Sequence, residues 1–286
     1  MTNLLSVLLS ATMLLQSQTA APNITALKAR AESGDVKAQV EVGMAYAVGD
    51  GIEPNEPEAV KWFRRAAEKG DAAGEYALGE MYLTGRGVSA DTSEGLKWLR
   101  RSAEHGDPHG QSNLAALYLQ GQGVPKDANE AAKWMRKAAD QGLAAGQFGL
   151  GSMYAHGTGV PQSTNEAIKW YRKAIAQDHP AAMNNLAFML ATSNDPKLRD
   201  PKEAVALAQK AVEIETDNAS YLDTLSTAYF EAGQPEKAAD TERRALTLKP
   251  DNPSYKKALE KYKAASPHTE TLNFKDGNLH LPHLLC

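Results

Sequence analysis

Between residues 35 and 178 the apolar and small positions follow two alternating spacings, and the pair of spacings recurs every 36 residues. In the first, such residues fall at i, i+4, i+5, i+7 and i+8, as in Gly74, Leu78, Gly79, Met81 and Tyr82, and again in Gly146, Leu150, Gly151, Met153 and Tyr154. In the second they fall at i, i+3, i+4, i+7 and i+8, as in Ala59, Trp62, Phe63, Ala66 and Ala67, or Ala131, Trp134, Met135, Ala138 and Ala139. Both are helical stripes rather than strand alternation. The pattern predicts two helices of about 11 to 13 residues per unit, joined by short turns into an antiparallel pair. Stacked pairs make an all-α chain, an α/α right-handed superhelical solenoid of antiparallel helix pairs with a concave inner wall.

The landmarks keep the same period. All four tryptophans (Trp62, Trp98, Trp134, Trp170) follow a lysine. One glycine pair stands in each unit: Gly49 and Gly51, Gly85 and Gly87, Gly121 and Gly123, Gly157 and Gly159. These pairs are expected to end the first helix and turn the chain through positive φ. Glycine inside a helix costs ~1 kcal/mol relative to alanine. Its recurrence at Gly43, Gly79 and Gly151, with Ala115 in the remaining unit, predicts that a neighbouring backbone passes too close for a side chain. The second helices are expected to open after Pro57, Asp127 or Thr164.

The resulting map has full units at 35–70, 71–106, 107–142 and 143–178, preceded by a capping half-repeat over 22–34. The period changes at Asp178. A divergent repeat covers 179–217, and beyond it landmarks recur at 34 residues (Ala211 to Ala245, Asp217-Asn218 to Asp251-Asn252), which marks a unit over 218–252. There Ser226 replaces a usual glycine, and Glu242 stands where a large apolar residue is common. A capping helix over 253–265 and a tail over 266–286 complete the map.

The motifs Leu-Gly-x-Met-Tyr-x-x-Gly-x-Gly-Val and Lys-Trp-x-x-x-Ala-Ala resemble the Sel-one-like repeat family, 36-residue relatives of tetratricopeptide repeats. The 34-residue unit resembles a tetratricopeptide repeat, and the stretch from Asn184 to Leu225 is similar to bacterial tetratricopeptide proteins. The resemblance implies an α/α solenoid that holds partner proteins or builds assemblies.

Composition narrows the function classes. The chain of 286 residues has a net charge of −4 and no long block of one sign, against the basic patch that nucleic-acid binding needs. Cys286 is the only cysteine, so neither a disulfide nor a thiolate metal cluster can form within one copy. Residues 1–21 hold a short apolar run from Leu4 to Leu15 and a small, polar stretch ending at Ala20-Ala21. The run is shorter than the ~20 residues of a membrane helix and fits a secretory signal. No Lys or Arg precedes it and Gln18 is a poor cleavage residue, so an apolar first helix is the competing reading. The expected location is periplasmic or secreted in a bacterium, or cytoplasmic if the segment is not a signal.

Signals of chemistry have structural explanations. The Gly-x-Gly turns follow helices, whereas a phosphate loop follows a strand and opens a helix. Ser254 and Lys257 match the Ser-x-x-Lys pair of penicillin-recognising enzymes, but the partner motifs are missing, and Ser254 is expected to serve the backbone in the first turn of the capping helix. His105 and His109 are separated by Gly106-Asp107-Pro108 and do not share a helix face. The Lys-Trp pairs could stack sugars or cations, but core or inter-repeat packing is the expected role.

By analogy with tetratricopeptide arrays, the first helices line the concave wall. Residues off the core stripe there are Tyr76, Glu80, Thr84, His109, Ser112, Gln120, Phe148, Ser152, His156, Asn184, Phe188, Asp223, Thr227, Phe230 and Glu231. This mixture, without strong charge bias, suits an extended or helical peptide. The sequence therefore predicts a monomeric, non-catalytic scaffold with a protein or peptide partner, without nucleic acid, cofactor, metal or membrane span after signal removal. The alternative is a cell-envelope protein with β-lactam or peptidoglycan-related activity.

Overall fold

The computed structural model describes residues 23–266, and all the regular structure among them is helical. The residues fall into two compact units, 23–174 and 175–266. In the first, α1 (Ile24–Glu32) precedes the pairs α2 (Val36–Val48)/α3 (Glu56–Glu68), α4 (Ala72–Thr84)/α5 (Thr92–Glu104), α6 (Pro108–Gln120)/α7 (Ala128–Asp140) and α8 (Ala144–His156)/α9 (Thr164–Ile175). The second contains α10 (Pro180–Thr192)/α11 (Pro201–Ile214), α12 (Ala219–Glu231)/α13 (Pro235–Leu248) and α14 (Pro253–Ala264). Within each unit, consecutive helices pack side by side, as an α/α solenoid requires. The proposed leader (residues 1–21), Cys286 and most of the tail lie outside the described residues.

Local chemistry sets the helix ends. Asp35, Asp71 and Asp107 accept the amides of Ala38, Gly74 and Gly110 at 3.1, 2.8 and 2.7 Å, filling donors that a helix start leaves orphaned. Asn55, Asp91 and Asp127 do the same for α3, α5 and α7. At α9 the cap is Ser163, which accepts from Glu166, rather than Thr164, which is already helical.

The two members of each glycine pair do different work. Gly49, Gly85, Gly121 and Gly157 end the first helices with φ between 68° and 82°. Gly51, Gly87, Gly123 and Gly159 follow in the turn, with φ between 66° and 68°. The expectation that the pair only ends the helix and turns the chain is incomplete, and Gly87 shows why. A Cβ there would lie 2.4 Å from the carbonyl carbon and oxygen of Glu56, the first residue of α3 in the preceding pair. Gly87 is therefore a stacking contact between pairs as well as a turn residue.

Two of the glycines inside the first helices, Gly43 and Gly151, have a different cause from the one expected. A Cβ at Gly43 would lie 2.5 Å from the Phe63 ring, and one at Gly151 would lie 2.7 Å from the Tyr171 ring. A large side chain of the partner helix, more than its backbone, fills the space. In the third pair that register position is Met135, whose flexible chain leaves room for Ala115. Close backbone approach does occur at Gly79, where a Cβ would lie 3.1 Å from the Gly95 carbonyl oxygen of α5 beside Leu99, and also at Gly74 and Gly146, which face the amides of Ala67 and Ala139 at the end of the preceding helix.

The core of the first unit is made of clusters that each span several helices. Leu150, Met153, Ala115, Ala131, Met135 and Trp170 form one cluster, and Leu78, Met81, Val60, Phe63 and Trp98 another. Trp62, Trp98 and Trp170 are buried and Trp134 half-buried. Each carries a cation three residues on (Arg65, Arg101, Lys137, Lys173) at 3.7–4.7 Å from its ring.

A buried polar register joins the repeats. Gln39, Gln111 and Gln147 donate from Nε2 to the carbonyls of Ala31, Ala103 and Ala139, which close the preceding helix and lack helical partners. At the same position in the second pair stands Glu75, which cannot donate. It instead meets Arg101 of α5 at 2.9 Å and His105, the C-cap of that helix, at 2.7 Å.

At the C-terminal helix the cap is Asn252, whose side chain accepts the amides of Ser254 and Tyr255 at 2.9 and 3.4 Å. Ser254 supplies only its amide. Asn252→Ala is therefore expected to cost about 1 kcal/mol and Ser254→Ala less than about 0.5 kcal/mol, read from urea unfolding of the two variants.

Candidate functional site

In the first unit α4 packs directly on α6, and α6 on α8, so the first helices form a continuous wall. The charge on this wall is one-sided. Helices α4, α6 and α8 contain no Lys or Arg, whereas each of α3, α5, α7 and α9 carries three. The only acidic side chains on α4, α6 and α8 are Glu75 and Glu80, both on α4.

The wall residues differ in access. Thr84, Gln120 and His156 are exposed, and Tyr76, His109, Ser112, Phe148 and Ser152 are half-buried. Thr84 Oγ1 donates to the Glu80 carbonyl, and His156 Nδ1 lies 2.8 Å from the Ser152 carbonyl. Phe148 stacks on Tyr171 of α9, with ring centroids 6.0 Å apart. Ser112 Oγ lies 3.7 Å from the Met135 sulfur.

Glu80 departs from the expectation of an open surface group, being only 6% exposed. Asn113 Nδ2 donates to its Oε1 at 3.0 Å, and burial pushes its pKa up against that bond. Tyr76, one turn before Glu80, stacks on His109 with centroids 5.5 Å apart. Burial and the charges of Glu80 and Asp107 raise the Tyr76 phenol. Asp107 is itself pushed up by burial, while the Gly110 amide and the His109 charge pull the other way. The structure thus gathers Tyr76, Glu80 and His109, named from sequence, with Asn113 and Asp107, which were not. Asn113 escapes a register reading because Ala77 and Gly149 hold its position in neighbouring repeats; Asp107 reads from sequence as a turn residue. His105 caps the C-terminal end of α5 and is bonded to Glu75.

In the second unit the named residues sit less openly than expected. Phe188 is 48% exposed, but Asn184 on the same helix is only 8% exposed and belongs to the interior. Thr227 Oγ1 lies 3.2 Å from the Tyr262 hydroxyl, and Phe230 stacks on Tyr262 at 4.8 Å with Lys261 over its ring. Glu231 pairs with Arg199 and, at 4.0 Å, with Lys261. These three residues face α14 or a neighbouring loop, so the terminal helix covers positions that would otherwise line a wall. Asp223 is half-buried, and burial raises its pKa. Ser254 and Lys257 are both exposed, with no hydrogen bond between them.

A Sel1 repeat model matches residues 36–71, 72–107, 108–143, 144–179 and 180–213. The chain belongs to the Sel1 repeat family. The fifth copy falls on the stretch read from sequence as divergent. Among solved structures, a Sel1 repeat protein from Oxalobacter formigenes is 26% identical with a TM-score of 0.64, over 79% of this chain and 97% of that one. The protective antigen c5321 of uropathogenic Escherichia coli, described as displaying an SLR fold, is 31% identical with a TM-score of 0.57. The match covers 79% of this chain and 56% of the antigen, so this chain spans little more than half of that protein's length. Cut9–Hcn1 of the APC/C shares the fold at 13% identity, with a TM-score of 0.55 over 84% of this chain and 46% of that one. No curated protein sequence matches this Sel1 repeat chain. Among its described residues no helix is long and apolar enough to cross a membrane.

Proposed function

We propose that this Sel1 repeat protein is a non-catalytic scaffold that holds a protein or peptide along the wall formed by its first helices. One observation carries the reading: the core of each pair repeats while the wall does not. The register of Leu78 and Leu150 is apolar in every pair, with Val42 and Leu114 in the others. The register of Tyr76 reads Val40, Tyr76, Ser112, Phe148, and that of Thr84 reads Val48, Thr84, Gln120, His156. Packing in a one-dimensional array fixes the first set and leaves the second free to suit a ligand. We read residues 1–21 as a secretory signal, which puts that ligand in the periplasm or outside the cell.

The test is site-specific photocrosslinking in cells. A benzophenone side chain at Gln120 or Ser152 is expected to capture one discrete species, and the same group at Arg100 or Lys133 on the second helices is expected to capture none of it. Capture from Arg100 and Lys133 alone would transfer the interaction to the opposite face and remove the reading.

A further inference from the structure

We propose that the wall of α4 and α6 contains a subsite for one basic side chain, lysine or arginine, of the bound peptide, formed by Glu80, Tyr76, His109 and Asn113. The inference rests on the proposed scaffold function and adds the chemistry of what it recognises.

The argument starts from Glu80. A carboxylate with 6% of its surface exposed is costly to ionise unless a cation or several hydrogen bonds compensate it. Here Asn113 provides one bond to Oε1, and no Lys, Arg or His forms an ion pair with Glu80 among the described residues. Cations are not scarce in this unit; they stand on the second helices, where Lys61, Lys97, Lys133 and Lys169 pair with Glu58, Glu94, Glu130 and Glu166. Nor does packing require an acid at this point of the repeat. The same register holds Met44, Ala116 and Ser152 in the other pairs.

The surroundings match the two ends of a basic side chain. Tyr76 is one turn from Glu80, and its ring offers an apolar, electron-rich face of the kind that attracts a cation. His109 stacks against that ring and holds its orientation. Asn113 bonds Glu80 and so fixes the acidic group one turn from the Tyr76 ring. Asp107 adds a second negative charge near Tyr76. A lysine or arginine stem lying on Tyr76 would bring its charged head to Glu80, converting an isolated buried carboxylate into a pair. An anionic or wholly apolar ligand would leave Glu80 uncompensated, so charge complementarity selects against both.

The experiment uses the full chain. Random dodecapeptides displayed on phage are selected against it, and enriched peptides are synthesised with a fluorophore for anisotropy titrations and with a photocrosslinker for mapping. The expected result is that peptides crosslinking to α4, α6 or α8 share a Lys or Arg. Replacing that residue by norleucine, or Glu80 by Gln, should each lower affinity about tenfold, and the two changes together should cost much less than their sum. Glu80→Met, the residue its register carries at position 44, serves as a second variant should the amide disturb folding. Wall-crosslinked peptides whose affinity ignores both Glu80 variants would overturn the subsite and leave the scaffold function standing. Failure to enrich any binder, or binders that crosslink only to second helices, would overturn the scaffold reading and the subsite with it.

Discussion

Gly159→Ala is expected to destabilise the first unit by about 2–5 kcal/mol, while the same change at Gly51 costs about 1–2 kcal/mol. The two glycines are equivalent in the repeat and share their backbone conformation, with φ of +67° and +68°. Both substitutions place a Cβ in the left-handed region and incur the same local strain. They differ in what the Cβ meets. At Gly51 nothing lies within 4 Å, but at Gly159 the carbonyl oxygen of Ala128 lies 1.9 Å away and its carbon 2.4 Å. Ala128 is the first residue of α7, which belongs to the preceding pair. Gly87 meets Glu56 of α3 in the same way, so the contact belongs to the stacking of pairs and not to one turn. A backbone atom cannot rotate aside as a side chain can, so in Gly159→Ala the turn must withdraw from α7 and loosen one pair from the next. In an array held by nearest-neighbour interfaces that loss falls on cooperativity as well as on total stability. All four tryptophans lie in this unit. Tryptophan fluorescence during urea unfolding is therefore the direct measurement, with a lower midpoint and a broadened or split transition expected for Gly159→Ala. Equal midpoints for the two variants would show that the turn is free to move.

The contrast between these glycines marks what could be read from sequence. The helix pairs were legible because the same contacts recur in each, and recurrence at 36 residues is visible without coordinates. That Gly87 and Gly159 face a neighbouring backbone while Gly51 faces open space was not legible, since all three belong to the same motif. The first pair has no full pair before it to press on its turn. The cause of the glycines at 43 and 151 was misassigned for a related reason. Periodicity shows that a position is crowded, but Phe63 and Tyr171 are identified as the crowding groups only once the helices are placed. For the wall, sequence named residues of the first helices, and the structure leaves Thr84, Gln120 and His156 among them exposed. Sequence misjudged Glu80 and Asn184, whose depth depends on how far a first helix is sunk between its neighbours. It also placed Thr227 and Phe230 on an open face that the terminal helix covers.

The second unit gives the other large effect, and it arises from two departures that the sequence shows separately. Ser226 stands in place of a glycine and Glu242 in place of an apolar residue; the structure joins them, with the Ser226 hydroxyl donating to Glu242 Oε2. Glu242 is 0% exposed, and its Oε1 has no hydrogen-bond partner. Asp223 on α12 and Tyr255 and Tyr262 on α14 complete the titratable surroundings of this carboxyl. Burial pushes its pKa from 4.5 up to about 7, with the Ser226 bond pulling down and the Asp223 charge adding to the rise. The unfolded chain would release this proton near 4.5, whereas the folded chain keeps it to about 7. Stability from this group is therefore full below 4.5, falls as pH rises toward about 7 and levels off above it. The gap corresponds to roughly 3 kcal/mol. Asp223 is raised by burial and acts in the same sense; His179, lowered by burial, loses stability only toward acid. Glu242→Gln removes the Glu242 contribution alone. The variant should match the wild type near pH 5 and exceed it by about 2–3 kcal/mol near pH 8. Because the tryptophans report only on the other unit, the measurement is amide hydrogen exchange in α12, α13 and α14 across that pH range, corrected for intrinsic exchange rates. Parallel pH slopes in the two proteins would mean that Glu242 ionises at little cost and that its burial does not govern the stability of this end of the array.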